Sequence, residues 1–114
     1  MSADAIRTRE PRTAARAAIA EIARSVDGFY LHVDLDVLDP DVAQANAFPA
    51  PGGLTVGDVT ATVRLAGELS SIGAAAITAY DPDHDPDGRA ADAAIAIAAS
   101  IIARAAGEEP PPDR

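Results

Sequence analysis

A β-forming run, a helical pattern and a second, weaker β-forming run follow one another in this chain, and that order leaves few folds open. Phe29-Tyr30-Leu31-His32-Val33-Asp34 has the aromatic and β-branched content of a strand. Its largely apolar make-up predicts cover on both faces, as in a parallel sheet. Thr55, with Asp58 three residues on, resembles a capping box and opens a helix that carries Val56, Val59, Val63 and Leu65 as far as Leu69. Gly73 to Ala79 reads as the second strand. Its alanines alone would permit helix, but Gly73 and the acidic loop beyond argue for a strand. Strand, helix and strand in series imply a right-handed crossover and parallel pairing. Ahead of them, Ala15, Ala18, Ile19, Ile22, Ala23 and Val26 recur at helical spacing from Pro11, with Gly28 as the expected stop. Behind them, Arg89 to Ala106 is strongly helical and ends at Gly107.

The expected architecture is therefore α/β, in the order α-β-α-β-α, as one domain over residues 11–107. The polar residues 1–10 and the proline-rich 108–114 are expected to be disordered. Two strands do not make a stable sheet, so self-association or a complementing chain is expected to add more. The 48% hydrophobic content overstates the core, because 28 of the residues are alanine and alanine buries little area.

Composition also excludes function classes. With no cysteine there is neither a disulfide nor a thiolate metal site. A net charge of −9, with every base an arginine, repels phosphate backbones and argues against nucleic acid as a partner. No apolar run approaches the roughly 18 residues of a membrane span. Met1 to Arg16 lacks the apolar stretch of a secretory signal. The expected compartment is the cytoplasm, with no membrane partner.

The chemistry concentrates in Asp34-Leu35-Asp36-Val37-Leu38-Asp39-Pro40, where the first strand ends. In open α/β sheets ligands bind beyond the carboxyl ends of strands. On an extended backbone Asp34 and Asp36 point the same way. Two carboxylates side by side repel unless a cation sits between them, and Mn²⁺ or Mg²⁺ suits oxygen donors. The plainer alternative is a solvated acidic loop with Asp39 capping a turn. The loop that follows, Leu35 to Gly53, is longer than compact domains usually tolerate without a functional reason.

His32 to Pro40, followed by Pro49-Ala50-Pro51-Gly52-Gly53-Leu54-Thr55, is similar to the signature of the arginase/agmatinase (ureohydrolase) family: Asp-x-Asp-x-x-Asp-Pro, then a loop closing on Pro-x-x-Gly-Gly-Leu. The resemblance extends more loosely over residues 28–106. It implies the C-terminal portion of a three-layer α/β/α ureohydrolase-like fold and a binuclear manganese centre. It assigns Asp34 and Asp36 as metal ligands and Asp39 as a structural residue. The implied reaction is hydrolysis of a guanidinium C–N bond, with a small guanidino compound as substrate.

The chain departs from that pattern in four places. The family's other ligands lie in Gly-Gly-Asp-His and Asp-Ala-His-x-Asp blocks upstream. Here the only histidines are His32 and His84, and two aspartates cannot close a shell around two ions. Position 32 is His where Ser is usual. Gln44-Ala45-Asn46-Ala47-Phe48 replaces Pro-Gly-Thr-Gly-Thr. The substrate-pairing Glu falls on Ala79, which removes the carboxylate partner of a guanidinium. By the same comparison residue 1 falls in mid-domain. The expectation is a chain inactive alone, whether a truncated reading frame or a subunit completed by another chain; the alternative is a non-catalytic α/β partner-binding domain or subunit fragment with at most a weak divalent-cation site.

The remaining candidates have plainer accounts. His32 reads as a hydrogen-bonded core histidine and His84 as an exposed one. Asp83-x-Asp85-x-Asp87-Gly88 matches the first half of a calcium loop, but Ala94 stands where a bidentate Glu is needed. Asp85 or Asp87 capping the last helix is the simpler account.

Overall fold

The computed structural model describes residues 11–47 and 51–107; the ends expected to be disordered lie outside them. Five elements follow in the expected order: α1 (Pro11–Ala23), β1 (Gly28–Asp34), α2 (Val56–Leu69), β2 (Ser71–Thr78) and α3 (Arg89–Ala105). Single 3-10 turns sit at Leu35–Val37 and Pro82–His84, just beyond the two strands.

β1 and β2 pair in parallel, from Gly28 opposite Ser71 to Asp34 opposite Thr78. Phe29 faces Ile72 and Tyr30 faces Ala74, so Gly73 is the extra residue of a bulge. The second strand thus begins two residues before the glycine that the sequence pattern takes as its start. Glycine in a strand commonly marks such an irregularity. At the other end of the chain α1 stops at Ala23, short of Gly28. Both the backbone N–H and the hydroxyl of Ser25 donate to the Ile22 carbonyl, each at 3.1 Å. A serine that satisfies the backbone locally competes with helix. Gly28 opens β1 instead.

The capping box is present: the Asp58 N–H donates to Thr55 Oγ1 at 3.1 Å, and the Thr55 N–H donates to Asp58 Oδ2 at 3.0 Å. Val59 and Val63 of α2, Ile97 and Ile101 of α3, and Val33 and Ile72 of the strands form the core with Leu35, Leu38 and Leu54. Completely burying a side chain such as Leu35, Ile97 or Val63 contributes about 1.5–3 kcal/mol.

That cover is one-sided. Val33 is buried and Leu31 packs against the core, whereas Tyr30, His32 and Asp34 are exposed. Cover of β1 on both faces is not made among the described residues. Tyr30 keeps 68% of its surface exposed, and Ile95 and Ile102 of α3 keep 68% and 67%.

The start of α3 shows what the acidic loop does. Gly88 precedes it at φ 71° with no side-chain cap. Asp85 supplies the cap from further back: its Oδ1 accepts from the Ala90 N–H at 2.9 Å and its Oδ2 from the Ala91 N–H at 3.0 Å. Tyr80 donates its hydroxyl to Asp85 Oδ2 at 2.9 Å. The Ala90 amide, foremost, holds the Asp85 carboxyl below its ordinary value of 3.8, against the opposing effect of burial. A depressed folded-state pKa contributes stability that is whole above the unfolded value and lost as pH falls through the folded one. Asp85→Asn is therefore expected to lower the melting temperature at pH 7 by several degrees. Its melting curve against pH should be flatter than that of the unsubstituted protein below about pH 4. Thermal melts between pH 2 and 7 check this; parallel curves would remove Asp85 from the acid response.

Candidate metal centre

β1 delivers Asp34 to the carboxyl end of the sheet, and the chain then leaves the strand plane. Asp34 caps the 3-10 turn that follows, its Oδ1 accepting from the Asp36 N–H at 2.8 Å. Leu35, only 1% exposed, anchors that turn in the core. The two carboxylates are consequently not successive teeth of one extended strand, as the sequence pattern predicts. Asp34 ends the strand and Asp36 is presented by the turn, and both are exposed.

Across from the turn, Asn46 Nδ2 donates to Asp36 Oδ1 and, at 3.1 Å, to the carbonyl of Ala79. Ala79 follows β2 with φ 71°, the one described non-glycine residue in the left-handed region. The Asp81 N–H donates to the Ala45 carbonyl at 2.8 Å. The segment 45–46 thus bridges the exits of both strands. Each of Asp34 and Asp36 has one oxygen held by a donor, while the other oxygen carries no hydrogen bond among the described residues. Asn46 was invisible as a site residue in the sequence. The available signal was an amide side chain in the loop between the two halves of the signature.

Asp39 does what the resemblance implies and more. Its Oδ1 accepts from the Asp41 N–H at 2.9 Å, and its Oδ2 from the Gly52 and Gly53 N–H groups at 3.0 and 3.2 Å. Leu38 and Leu54 form a parallel bridge, with Leu54 N–H to Val37 carbonyl at 2.7 Å and Asp39 N–H to Leu54 carbonyl at 3.0 Å. Residues 37–39 and 52–54, from the two halves of the signature, are therefore one tertiary unit.

Neither histidine joins the aspartates. His32 lies on the exposed face, not in the core, and its Nε2 bonds Thr78 Oγ1 at 2.7 Å. His84 is exposed and its Nδ1 bonds Asp81 Oδ2 at 2.8 Å. The Asp83 N–H, more than His84, holds the Asp81 carboxyl below its ordinary value. Among the described residues no group of three or more His, Cys, Asp and Glu could hold a metal ion. The oxygens of Asp34 and Asp36 suit part of the shell of a hard divalent cation; they do not close one. The cleft beside Asp36 and Asn46 has a volume of about 10 Å³, room for one water at most. A groove of about 490 Å³, lined by the last residues of α2 and α3 and the first of β2, lies at the opposite end of the sheet. No helix among the described residues is long and apolar enough to cross a membrane.

Parallel strands, three helices and an Asp-x-Asp pair at the strand ends define an arginase-like α/β unit. The arginase of Bacillus caldovelox superposes with a TM-score of 0.75 at 25% identity, over 91% of this chain and 33% of that one. Proclavaminate amidino hydrolase from Streptomyces clavuligerus gives 0.69 at 28% identity, over 82% and 32%. Formimidoylglutamase from Chromobacterium violaceum is 39% identical over 89 residues, 75% of this chain and 28% of that protein. Residues 1–103 match the Arginase family, and the chain belongs to it. It spans about a third or less of the length of these relatives.

Proposed function

We propose that this chain supplies Asp34 and Asp36 as two ligands of a divalent metal centre, manganese by family resemblance, that hydrolyses a non-peptide C–N bond in an amidino or guanidino compound. The observation that supports the reading is the pairing of two exposed carboxylates at one strand exit, each with one oxygen held by a donor and the other without a hydrogen bond among the described residues. When bound, the metal supplies Lewis acidity that makes water a nucleophile at neutral pH. Asp34 and Asp36 bring negative charge to the cation, and the turn between them fixes their relative position. At residue 79 no carboxylate meets the substrate, so a guanidinium finds no ion-pair partner there. That weighs against arginine itself and toward substrates of lower charge. The remaining donors come from outside the described residues, and the chain alone is inactive. A second reading, a partner-binding domain without catalysis, draws on the exposed Tyr30, Ile95 and Ile102.

In a properly assembled form that supplies the remaining donors, millimolar Mn²⁺ is expected to raise the melting temperature by several degrees, since a ligand at about 100 times its Kd stabilises by about 2.7 kcal/mol. Asp34→Ala combined with Asp36→Ala should abolish the rise. A double variant that responds to Mn²⁺ like the unsubstituted chain would remove the metal assignment and leave the partner-binding reading.

A further inference from the structure

We infer that the groove between the C-terminal ends of α2 and α3 binds a small carboxylate, held by the guanidinium of Arg104. This groove lies at the opposite end of the sheet from Asp34 and Asp36 and does not depend on how that pair is read. Arg104 lines it together with Leu69, Ser70, Ser71 and Ile72. The Arg104 Nε is enclosed and has no acceptor. None of the guanidinium nitrogens makes a hydrogen bond or an ion pair among the described residues. Gly67 is what lets the side chain lie there. A Cβ on residue 67 would stand 2.8 Å from Arg104 Nε, 3.0 Å from its Cβ and 3.4 Å from its Cγ. The arginine stem therefore runs against the bare backbone of α2.

That arrangement carries two costs. Glycine inside a helix is less favourable than alanine, and an enclosed donor without an acceptor forfeits its hydration. The gain visible in the fold is a cation in the last turn of α3, at the negative end of the helix. On the usual scale that gain is smaller than the two costs together. Native structures seldom hold a donor group in this way without something for it to meet. The lining says what that is. With Nε shut against α2, the two terminal nitrogens remain, and a guanidinium presents parallel N–H donors that match a carboxylate. Glu68, the one carboxylate in the lining, is already paired with Arg16 at 3.3 Å. Ser70 and Ser71 add hydroxyls, and Leu69 and Ile72 add apolar surface. Two helices end here with partial negative charge, and the chain carries −9 overall. Both penalise a phosphate dianion more than a single carboxylate. The volume of about 490 Å³ lies within the range of small-molecule sites.

The test is a titration of sodium benzoate into the isotope-labelled full chain at constant ionic strength, followed by nuclear magnetic resonance at the Ser70, Ser71 and Gly107 amides. Saturable shifts with a Kd on the order of 1 mM are expected. Benzamide, the same ring without the charge, should leave these amides unmoved at that concentration. Arg104→Met keeps the apolar stem and loses the guanidinium, and should weaken binding at least about tenfold. Gly67→Ala keeps every charge but displaces the side chain, and a similar weakening is expected. Arg104→Lys, which keeps the charge without the fork, repeats that measurement should Gly67→Ala melt too early to assay. Arg89→Met, at the far end of α3, changes the net charge equally and should bind like the unsubstituted chain. An Arg104 that only secures the helix end would lower the melting temperature in Arg104→Met and leave benzoate affinity unchanged, which overturns the inference. So does the lack of saturable shifts up to about ten times the expected Kd. Equal weakening by Arg89→Met overturns it as well, because overall charge would then be the cause. Inorganic phosphate binding more tightly than benzoate overturns the carboxylate assignment.

Discussion

Gly53→Ala is expected to cost roughly 2–3 kcal/mol and to lower the melting temperature by on the order of 10–20 °C. A Cβ on residue 53 would stand 2.5 Å from the Asp39 nitrogen, 2.6 Å from the Val37 oxygen and 2.7 Å from the Leu38 carbonyl carbon. All three are backbone atoms, so no rotamer change relieves the clash. Residues 37–39 or 53–54 would have to move apart. That opens the pair of backbone hydrogen bonds on either side of the Leu38–Leu54 bridge and shifts Leu54, which is 2% exposed. Differential scanning calorimetry checks the loss; a shift of less than a few degrees would mean that the two segments are not in contact.

Asp39→Ala ranks next. It leaves the Asp41, Gly52 and Gly53 amides without the acceptor they share. Hydrogen bonds to a charged acceptor contribute about 1.5–3 kcal/mol, and the three here are coupled through one side chain, so a total of about 3 kcal/mol is expected rather than a sum. Asp39→Asn separates the roles. Its single carbonyl oxygen can serve the Asp41 amide or the glycine pair, not both. Its stability, measured by urea unfolding, should fall between those of the unsubstituted protein and Asp39→Ala. If Asp39→Asn were as stable as the unsubstituted chain, the two oxygens would not be doing separate work.

These two substitutions bear on what the signature means. Of the signature's positions in this chain, Asp39, Gly52, Gly53 and Leu54 form a hydrogen-bonded platform, whereas Asp34 and Asp36 are exposed. The resemblance named the platform residues without giving the reason for them. Hydrogen bonds between residues 39 and 52–53 connect points far apart in sequence, and no local pattern encodes them.

Elsewhere the legible parts were those governed by local rules. The Thr55–Asp58 cap, the helical character of Arg89 to Ala106 and the strand character of Phe29 to Asp34 depend on neighbours within a turn or two, and all three stand; the face Ile95, Ile97, Ile101 and Ile102 of that helix reads as core, yet Ile95 and Ile102 stay exposed. The misread parts depend on competition. Val26 continues the apolar spacing of α1, but Ser25 closes a turn first. The alternation of Asp34 and Asp36 is sound only on extended backbone, and burial of Leu35 converts that stretch into a 3-10 turn. His32 lies on an apolar run and so resembles a core residue; which side of β1 the helices would cover was not written in the strand itself. Asn46 was missed because its partners, Asp36 and Ala79, meet only after both strands are in register.

The stitch between residues 37–39 and 53–54 also reshapes the search by which β1 finds β2. Once it closes, the long excursion after Asp36 no longer counts as free chain. Thr55 with Asp58 starts α2 at once, so what remains between the strands is a rod rather than a coil. Parallel pairing is slow because the entropy of a large loop must be surrendered before any contact rewards it. A stitch of this kind divides that cost into two smaller closures.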